Sequence, residues 1–208
     1  MLIVIDEGDP EVVGAAMRVA AHECEASPGV ERLDEGVAQR WVGHRNDVSA
    51  LPAVVKAGVV VDTIELAAPW SALDALYEQT CEALLGVDGA LVASAHCSHS
   101  YLDGACLYFT FAGRAGGDGD ADATPEAKDA FYRASVDAVM ARCVALGAAI
   151  SHHHGVGLAR GPWVRAALGD GAFEVLCGLK QVFDPHGILN PGKLGLPSPF
   201  LPDGWAWS

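Results

Sequence analysis

Basic residues are scarce: 13 lysines and arginines stand against 27 aspartates and glutamates in 208 residues, a formal net charge of −14. Nucleic acid and anionic membrane surfaces are held by clustered Lys and Arg, so neither is expected as a partner. No apolar run approaches the roughly 18 residues that a membrane span requires. The opening MLIVIDEGDP lacks a basic segment and a small-residue cleavage site, so no secretory leader is expected. There is no P-loop, no GxGxxG between a strand and a helix, and no GxSxG, which leaves the chain without a complete nucleotide site or a recognisable serine nucleophile. The glycines of Gly116 to Gly119 (GGDG) sit in an acidic stretch that would repel phosphate. None of the six cysteines forms a CxxC pair. They fall mostly in apolar surroundings, as reduced buried thiols do, and a cytoplasmic location is expected, with peripheral membrane contact as the alternative.

Apolar residues, by contrast, are plentiful at 51%, against 19% charged, so a sizeable core can form. The chain reads as α+β. A strand is expected over Met1–Ile5 and a helix from Pro10, capped by Asp9, to Ala26. Helical pieces follow over Glu31–Lys56, broken near Pro52. Val59–Leu66 reads as a strand, Trp70–Leu85 as a helix, and Gly89–Cys97 and Ala105–Gly113 as two more strands. After a flexible acidic loop (Arg114–Asp122), a long helix runs from Thr124-Pro125 to about Leu146. Shorter helices are expected over Trp163–Leu168 and Gly171–Phe183, the last stopped by Asp184-Pro185. This order describes a ferredoxin-like antiparallel sheet with packed helices (residues 1–150), followed by a C-terminal helical segment (151–208). Trp70 and Trp163 read as packing anchors, and Trp205 and Trp207 as residues that dock on the body or on another subunit.

Alternation then divides the sheet into two faces. Leu107, Phe109 and Phe111 form the core side of one strand, while Cys106, Tyr108 and Thr110 point the other way. In the neighbouring strand Leu91, Ala93, Ala95 and Cys97 alternate with Val92, Ser94 and His96. One side is therefore apolar; the other carries hydroxyls, a phenol and an imidazole. The stretch SHHHGVGLARGPW (Ser151–Trp163) adds three consecutive histidines. Consecutive residues of a loop converge on one metal ion only with help from another element, such as His96 or His99, and no helical HxxxH pair exists. No metal is expected. Crowded imidazoles disfavour one another's protonation and stay neutral near physiological pH, which suits proton transfer. A solvated surface loop is the alternative.

Three stretches carry a resemblance: Leu66-Ala-Ala-Pro-Trp70, Ser100-Tyr-Leu-Asp-Gly-Ala-Cys-Leu-Tyr-Phe-Thr-Phe111 and Ser151-His-His-His-Gly-Val-Gly157. With the ending Phe183–Leu194 (FDPHGILNPGKL), they make the chain similar to the C-terminal substrate or cap domain of FAD-linked oxidases in the vanillyl-alcohol oxidase superfamily, and within it to the alkylglycerone-phosphate synthase branch. The resemblance spans nearly the whole chain. It implies FAD as cofactor, with a dihydroxyacetone-phosphate unit held covalently on the flavin while an acid leaves and a fatty alcohol replaces it. Tyr108 would be the acid/base group, with His152, His153 and His154 lining the same pocket. Asn190 and Lys193 would approach the flavin, and Arg45 and His96 would bind substrate.

Two departures qualify this. The synthases carry an active-site Arg upstream of the Trp that is here Trp70, and that position is Leu51, with Arg45 the nearest substitute. The family's FAD-binding half precedes the cap domain and is absent from this sequence. The expected partner is therefore that half or a split subunit, and the isolated chain is expected to be inactive. A D-lactate or glycolate type of FAD-linked oxidase and a non-catalytic binding or homodimerising module are the alternative readings.

Overall fold

A computed structural model describes residues 2–115 and 123–201. Most of the acidic loop, together with Trp205 and Trp207, lies outside the described residues. By internal contact the chain divides into two units, 1–51 and 52–208.

The first unit is helical. Helix α1 (Pro10–Glu25) begins as expected, with the Asp9 carboxylate accepting from the amides of Glu11 and Val12 and Pro10 in the first turn. Helix α2 spans Gly36–His44, and α3 (Leu51–Lys56) joins the two units. The helical pieces are broken near Pro52 as expected, between His44 and Leu51, and Pro52 itself sits in the first turn of α3, where its missing N–H costs nothing. The strand expected over Met1–Ile5 is not formed: residues 2–7 carry no regular structure and pair with no sheet. An apolar pentapeptide with no partner strand has nowhere to place its backbone hydrogen bonds.

In the second unit the order is β1 (Val59–Pro69), α4 (Trp70–Leu85), β2 (Ala90–Ser100), β3 (Gly104–Arg114) and α5 (Pro125–Ala145). The three strands form one antiparallel sheet in the order β1-β3-β2. Beyond the outer edge of β1 a single antiparallel bridge joins Ala67 to Ala149. The plan is thus ferredoxin-like, with the fourth strand reduced to one bridge.

The alternation holds on the central strand. Leu107, Phe109 and Phe111 are buried with Ile64, Leu66 and Ala68 of β1. Leu73, Leu76 and Leu84 of α4 and Phe131, Val136, Val139, Met140 and Cys143 of α5 cover them. Each large side chain so buried contributes about 1.5–3 kcal/mol through loss of apolar surface. On β2, Ala93 and Ala95 follow the expected face, but register shifts between Ala90 and Val92 and between Cys97 and His99 break the alternation at both ends. Leu91 and Cys97 are therefore exposed instead of core-facing. The C-terminal segment, η1 (Gly161–Trp163), α6 (Val164–Leu168), α7 (Asp170–Phe183) and a short turn at Lys193–Gly195, belongs to the same unit as the sheet. Val164 and Phe173 extend its core, with Trp163 packed against it.

Helix α5 lies so close to β3 that a Cβ at Gly113 would stand 2.2 Å from Phe131 Cζ. Gly113→Ala is expected to destabilise the chain by about 1–3 kcal/mol, read from urea unfolding, and Gly113→Ala with Phe131→Leu to recover only part of that, because the Gly89 carbonyl oxygen also stands 2.7 Å from the added Cβ.

Candidate active site

Continuing the register of the Ala67–Ala149 bridge would set Ser151 opposite Glu65 and extend β1 by a fourth strand. Instead the chain turns away, and side chains take over the hydrogen bonds of the missing ladder. The Glu65 carboxylate, fully buried, accepts from the Ser151 hydroxyl (2.7 Å) and from the backbone amides of His152 (2.6 Å) and His154 (2.9 Å). Arg160, buried at 8% exposure, donates through Nη1 to the carbonyls of Glu65 (3.1 Å) and Ile150 (2.8 Å) and to Glu65 Oε1 (3.1 Å). One buried ion pair thus satisfies both sides of a turn that would otherwise leave amides and carbonyls unpaired.

Burial alone would push the Glu65 carboxyl up. The bonds from Ser151, His154 and His152 and the charge of Arg160 outweigh it and hold the group below its ordinary value.

The histidines so held meet the polar side of the sheet. In the β1–β3 register Thr63 faces Thr110, Glu65 faces Tyr108 and Ala67 faces Cys106. The Thr63 hydroxyl donates to the Tyr108 phenol oxygen at 2.9 Å. His153 stacks on Tyr108 with ring centroids 6.2 Å apart and 19° between planes, and His154 meets the same ring edge-on at 5.1 Å. Tyr108 and the triplet, predicted to share one pocket, are therefore together. His96 lies opposite Tyr108 in the β2–β3 register and is exposed. The β2 imidazole that reaches the triplet is His99, with ring centroids 5.3 Å from His152 and 4.9 Å from His153. The bulge after Cys97 brings it opposite Cys106.

Ligand atoms of His99, Cys106, His152 and His153 lie within 4.8 Å of one another. The sequence shows no cysteine beside the triplet; the fold supplies one, and this donor set could hold a soft divalent ion. Loss of water around His153, followed by neighbouring imidazoles, lowers its pKa against the opposing pull of Glu65. Burial likewise pushes the Cys106 thiol up, which keeps it protonated and unreactive.

The other predicted residues are placed less centrally. Asn190 adopts a left-handed conformation (φ 47°), and Lys193 opens the following turn. That turn is tied to the loop after the histidines by the Leu194 amide, which donates to the Gly157 carbonyl at 3.3 Å. Gly195 packs against Gly161 so tightly that a Cβ there would meet the Gly161 carbonyl at 2.4 Å. Asp184 organises the preceding turn: it accepts from the amides of Ile188 and Leu189 and pairs with Lys180, which holds its carboxyl below the usual range. Arg45 belongs to the first unit, where its guanidinium lies over Trp41. A hollow of about 770 Å³ is also in that unit, among residues such as Leu2, Val4, Met17 and Leu33, and contains none of the predicted site residues.

Sequence reasoning missed Glu65, Arg160 and Tyr101, whose hydroxyl lies 3.0 Å from His152 Nε2, and named His99 only as a helper in metal binding. Glu65 carried a signal: a carboxylate flanked by Ile64 and Leu66, immediately before LAAPW.

A buried ion pair thus bridges the sheet edge to a histidine loop, with a phenol stacked beside that loop. In comparison with known proteins, the model of the family "FAD linked oxidases, C-terminal domain" matches residues 1–194, and the chain belongs to that family. The uncharacterized FAD-linked oxidoreductase YgcU of Escherichia coli (strain K12) is 28% identical over 204 residues, covering 93% of this chain and 41% of that protein. The alkyldihydroxyacetonephosphate synthase of Trypanosoma brucei brucei is 36% identical over 104 residues, covering 50% of this chain and 16% of that protein. A solved alkyldihydroxyacetonephosphate synthase structure is 20% identical with a TM-score of 0.48, over 89% of this chain and 29% of that one. The chain thus spans less than half the length of each. Among the described residues, no helix is long and apolar enough to cross a membrane.

Removing one partner of a buried pair strands the other, so Arg160→Met is expected to cost about 3–5 kcal/mol in chemical unfolding. Because the folded Glu65 pKa is depressed, its stabilisation is complete above its unfolded value and is lost as pH falls through the folded one. Glu65→Gln is therefore expected to flatten the fall in melting temperature on acidification below about pH 4.

Proposed function

We propose that this chain forms the substrate side of an FAD-dependent enzyme that exchanges an acyloxy for an alkoxy group on dihydroxyacetone phosphate. The observation that carries the reading is the meeting of Tyr108 with His153 and His154 on the polar side of the sheet. The FAD-linked family and the synthases among its relatives give that wall its cofactor and substrate class. The donor set fits a flavin: exposed imidazoles and a phenol offer both donors and acceptors, as the polar edge of a flavin ring requires. FAD, when bound, supplies an electrophilic ring that can take and return electrons within one turnover.

The chain's own residues handle the protons. Tyr108, its oxygen already accepting from Thr63, gives a proton to the departing carboxylate oxygen or takes one from the incoming alcohol. His152, His153 and His154 present hydrogen-bonding edges beside it. Asn190 and Lys193 would approach the cofactor from the closing turn, and His96 would contribute to substrate binding. The rest of the FAD site would come from an FAD-binding half or subunit.

In a flavin-loaded assembly containing this chain, Tyr108→Phe is expected to lower incorporation of labelled fatty alcohol roughly 100-fold, the lower end for loss of an acid/base group. Undiminished turnover would reduce Tyr108 to a packing residue. Oxidation of a D-2-hydroxy acid without alcohol exchange would replace the proposed reaction with that of the dehydrogenases.

A further inference from the structure

The first unit contains an apolar space to which no role has yet been given. Helix α1 turns Val13, Gly14, Met17, Ala20, Ala21 and Cys24 to one side, at the three- and four-residue spacing of a single helical face, and each is only half-buried. No residue of α1 or α2 is fully buried. Five of the six, all but Val13, line the hollow of about 770 Å³ together with Ile3, Leu33 and Val37 of the same unit. Gly14, Ala20 and Ala21 carry one side-chain carbon or none, too little to reach across it. Glycine is among the poorest helix formers, yet Gly14 stands inside α1. Packing does not demand it: a Cβ there would meet only Arg18 Nη1, at 3.5 Å, an ordinary contact. What the glycine leaves is room.

The hollow has the size of small-molecule sites, which run from about 300 to 1,000 Å³. The side chains of its inner face offer no strong hydrogen-bond partner, and water is poorly held between such walls. An unbranched alkyl chain needs no polar partner along its length and fits them. The head of such a ligand meets a charged rim, where Arg18 and Arg32 stand with Glu25, Glu31, Asp34 and Glu35, all exposed. Arg32 already lies 3.8 Å from Glu25 Oε1, and Asp34 accepts from the Gly36 amide at 2.8 Å. Four carboxylates against two guanidiniums repel a carboxylate head. A hydroxyl head escapes that repulsion and can donate to the rim carboxylates or accept from Arg18.

We propose that the first unit binds the alkyl chain of a long-chain primary alcohol in this hollow, and that its acidic rim rejects the corresponding carboxylate. The alcohol's part in turnover rests on the function proposed above; the binding does not. An exchange that takes in an alcohol and lets out an acid handles two ligands with similar tails. A tail site alone cannot tell them apart, whereas the charge at its mouth can. Gly14 is then a specificity-determining position, because its missing side chain makes space for the tail.

Equilibrium dialysis of the whole chain against labelled 1-dodecanol, kept below its solubility limit, tests this without flavin or an activity assay. The expected result is saturable binding of one alcohol per chain, with labelled dodecanoate at neutral pH bound about ten-fold more weakly. Glu31→Gln with Glu35→Gln should narrow that gap. Gly14→Leu fills the space and suits a helix better than glycine, so it should keep the helical circular dichroism signal. It should weaken alcohol binding at least about ten-fold, the equivalent of two buried methylenes. Ala21→Phe, two turns further along α1, should do the same. Non-saturable uptake, equal affinity for dodecanoate, or folded Gly14→Leu and Ala21→Phe variants that bind alcohol as before would overturn the proposal. So would sedimentation showing a dimer that both variants dissociate, because a second copy would then fill the hollow. Saturable alcohol binding without exchange in the flavin-loaded assembly would instead overturn the proposed reaction alone.

Discussion

A carboxylate and a guanidinium buried together at the edge of a sheet decide where this chain can do chemistry. Two ions out of water are stable only when every remaining lone pair and proton finds a partner. Glu65 and Arg160 meet that condition by taking the amides and carbonyls of the turn at 150–154. The pair therefore does more than attract: it substitutes for a β ladder. Without it, residues 150–154 would either continue as a fourth strand, with side chains alternating between the faces, or leave polar backbone buried and unpaired. With it, three successive histidines are presented beside the phenol of Tyr108.

The bulge near the end of β2 plays a similar part on the other edge. A regular strand would give alternate residues to the two faces, and His96 would be the last imidazole on the polar side near Tyr108. The register shift between Cys97 and His99 adds a residue and brings His99 opposite Cys106 and against the triplet. Bulges re-aim side chains at the cost of a ladder bond, and an edge strand is where that cost is smallest. Two local departures from ideal sheet geometry, one on each side of the central strand, thus assemble a four-imidazole cluster that no regular sheet would produce.

Much of this was legible beforehand where one local rule dominated. The central strand could be read because Leu107, Phe109 and Phe111 alternate with Tyr108 and Thr110 without interruption. Helices α1 and α5 could be placed because Asp9-Pro10 and Thr124-Pro125 are strong starts. The failures fall where non-local pairing matters. Met1–Ile5 has strand composition but no partner. Leu91 and Cys97 violate their alternation because a bulge is set by neighbouring strands and leaves no mark in a single segment.

The amino-acid sequence by itself determined which residues could form the apolar layer, that a phenol must stand opposite it, and that an HHHG segment follows the long helix. Those features depend on side-chain period and short-range backbone preference, which act over a few residues. Tertiary structure alone decided that Glu65 and Arg160, far apart in the chain, would meet in the turn, that His99 would replace His96 beside the triplet, and that Tyr101 would reach His152. Those contacts exist only after the sheet closes, because burial gives a hydrogen bond to charge its weight, and burial is a property of the folded chain as a whole.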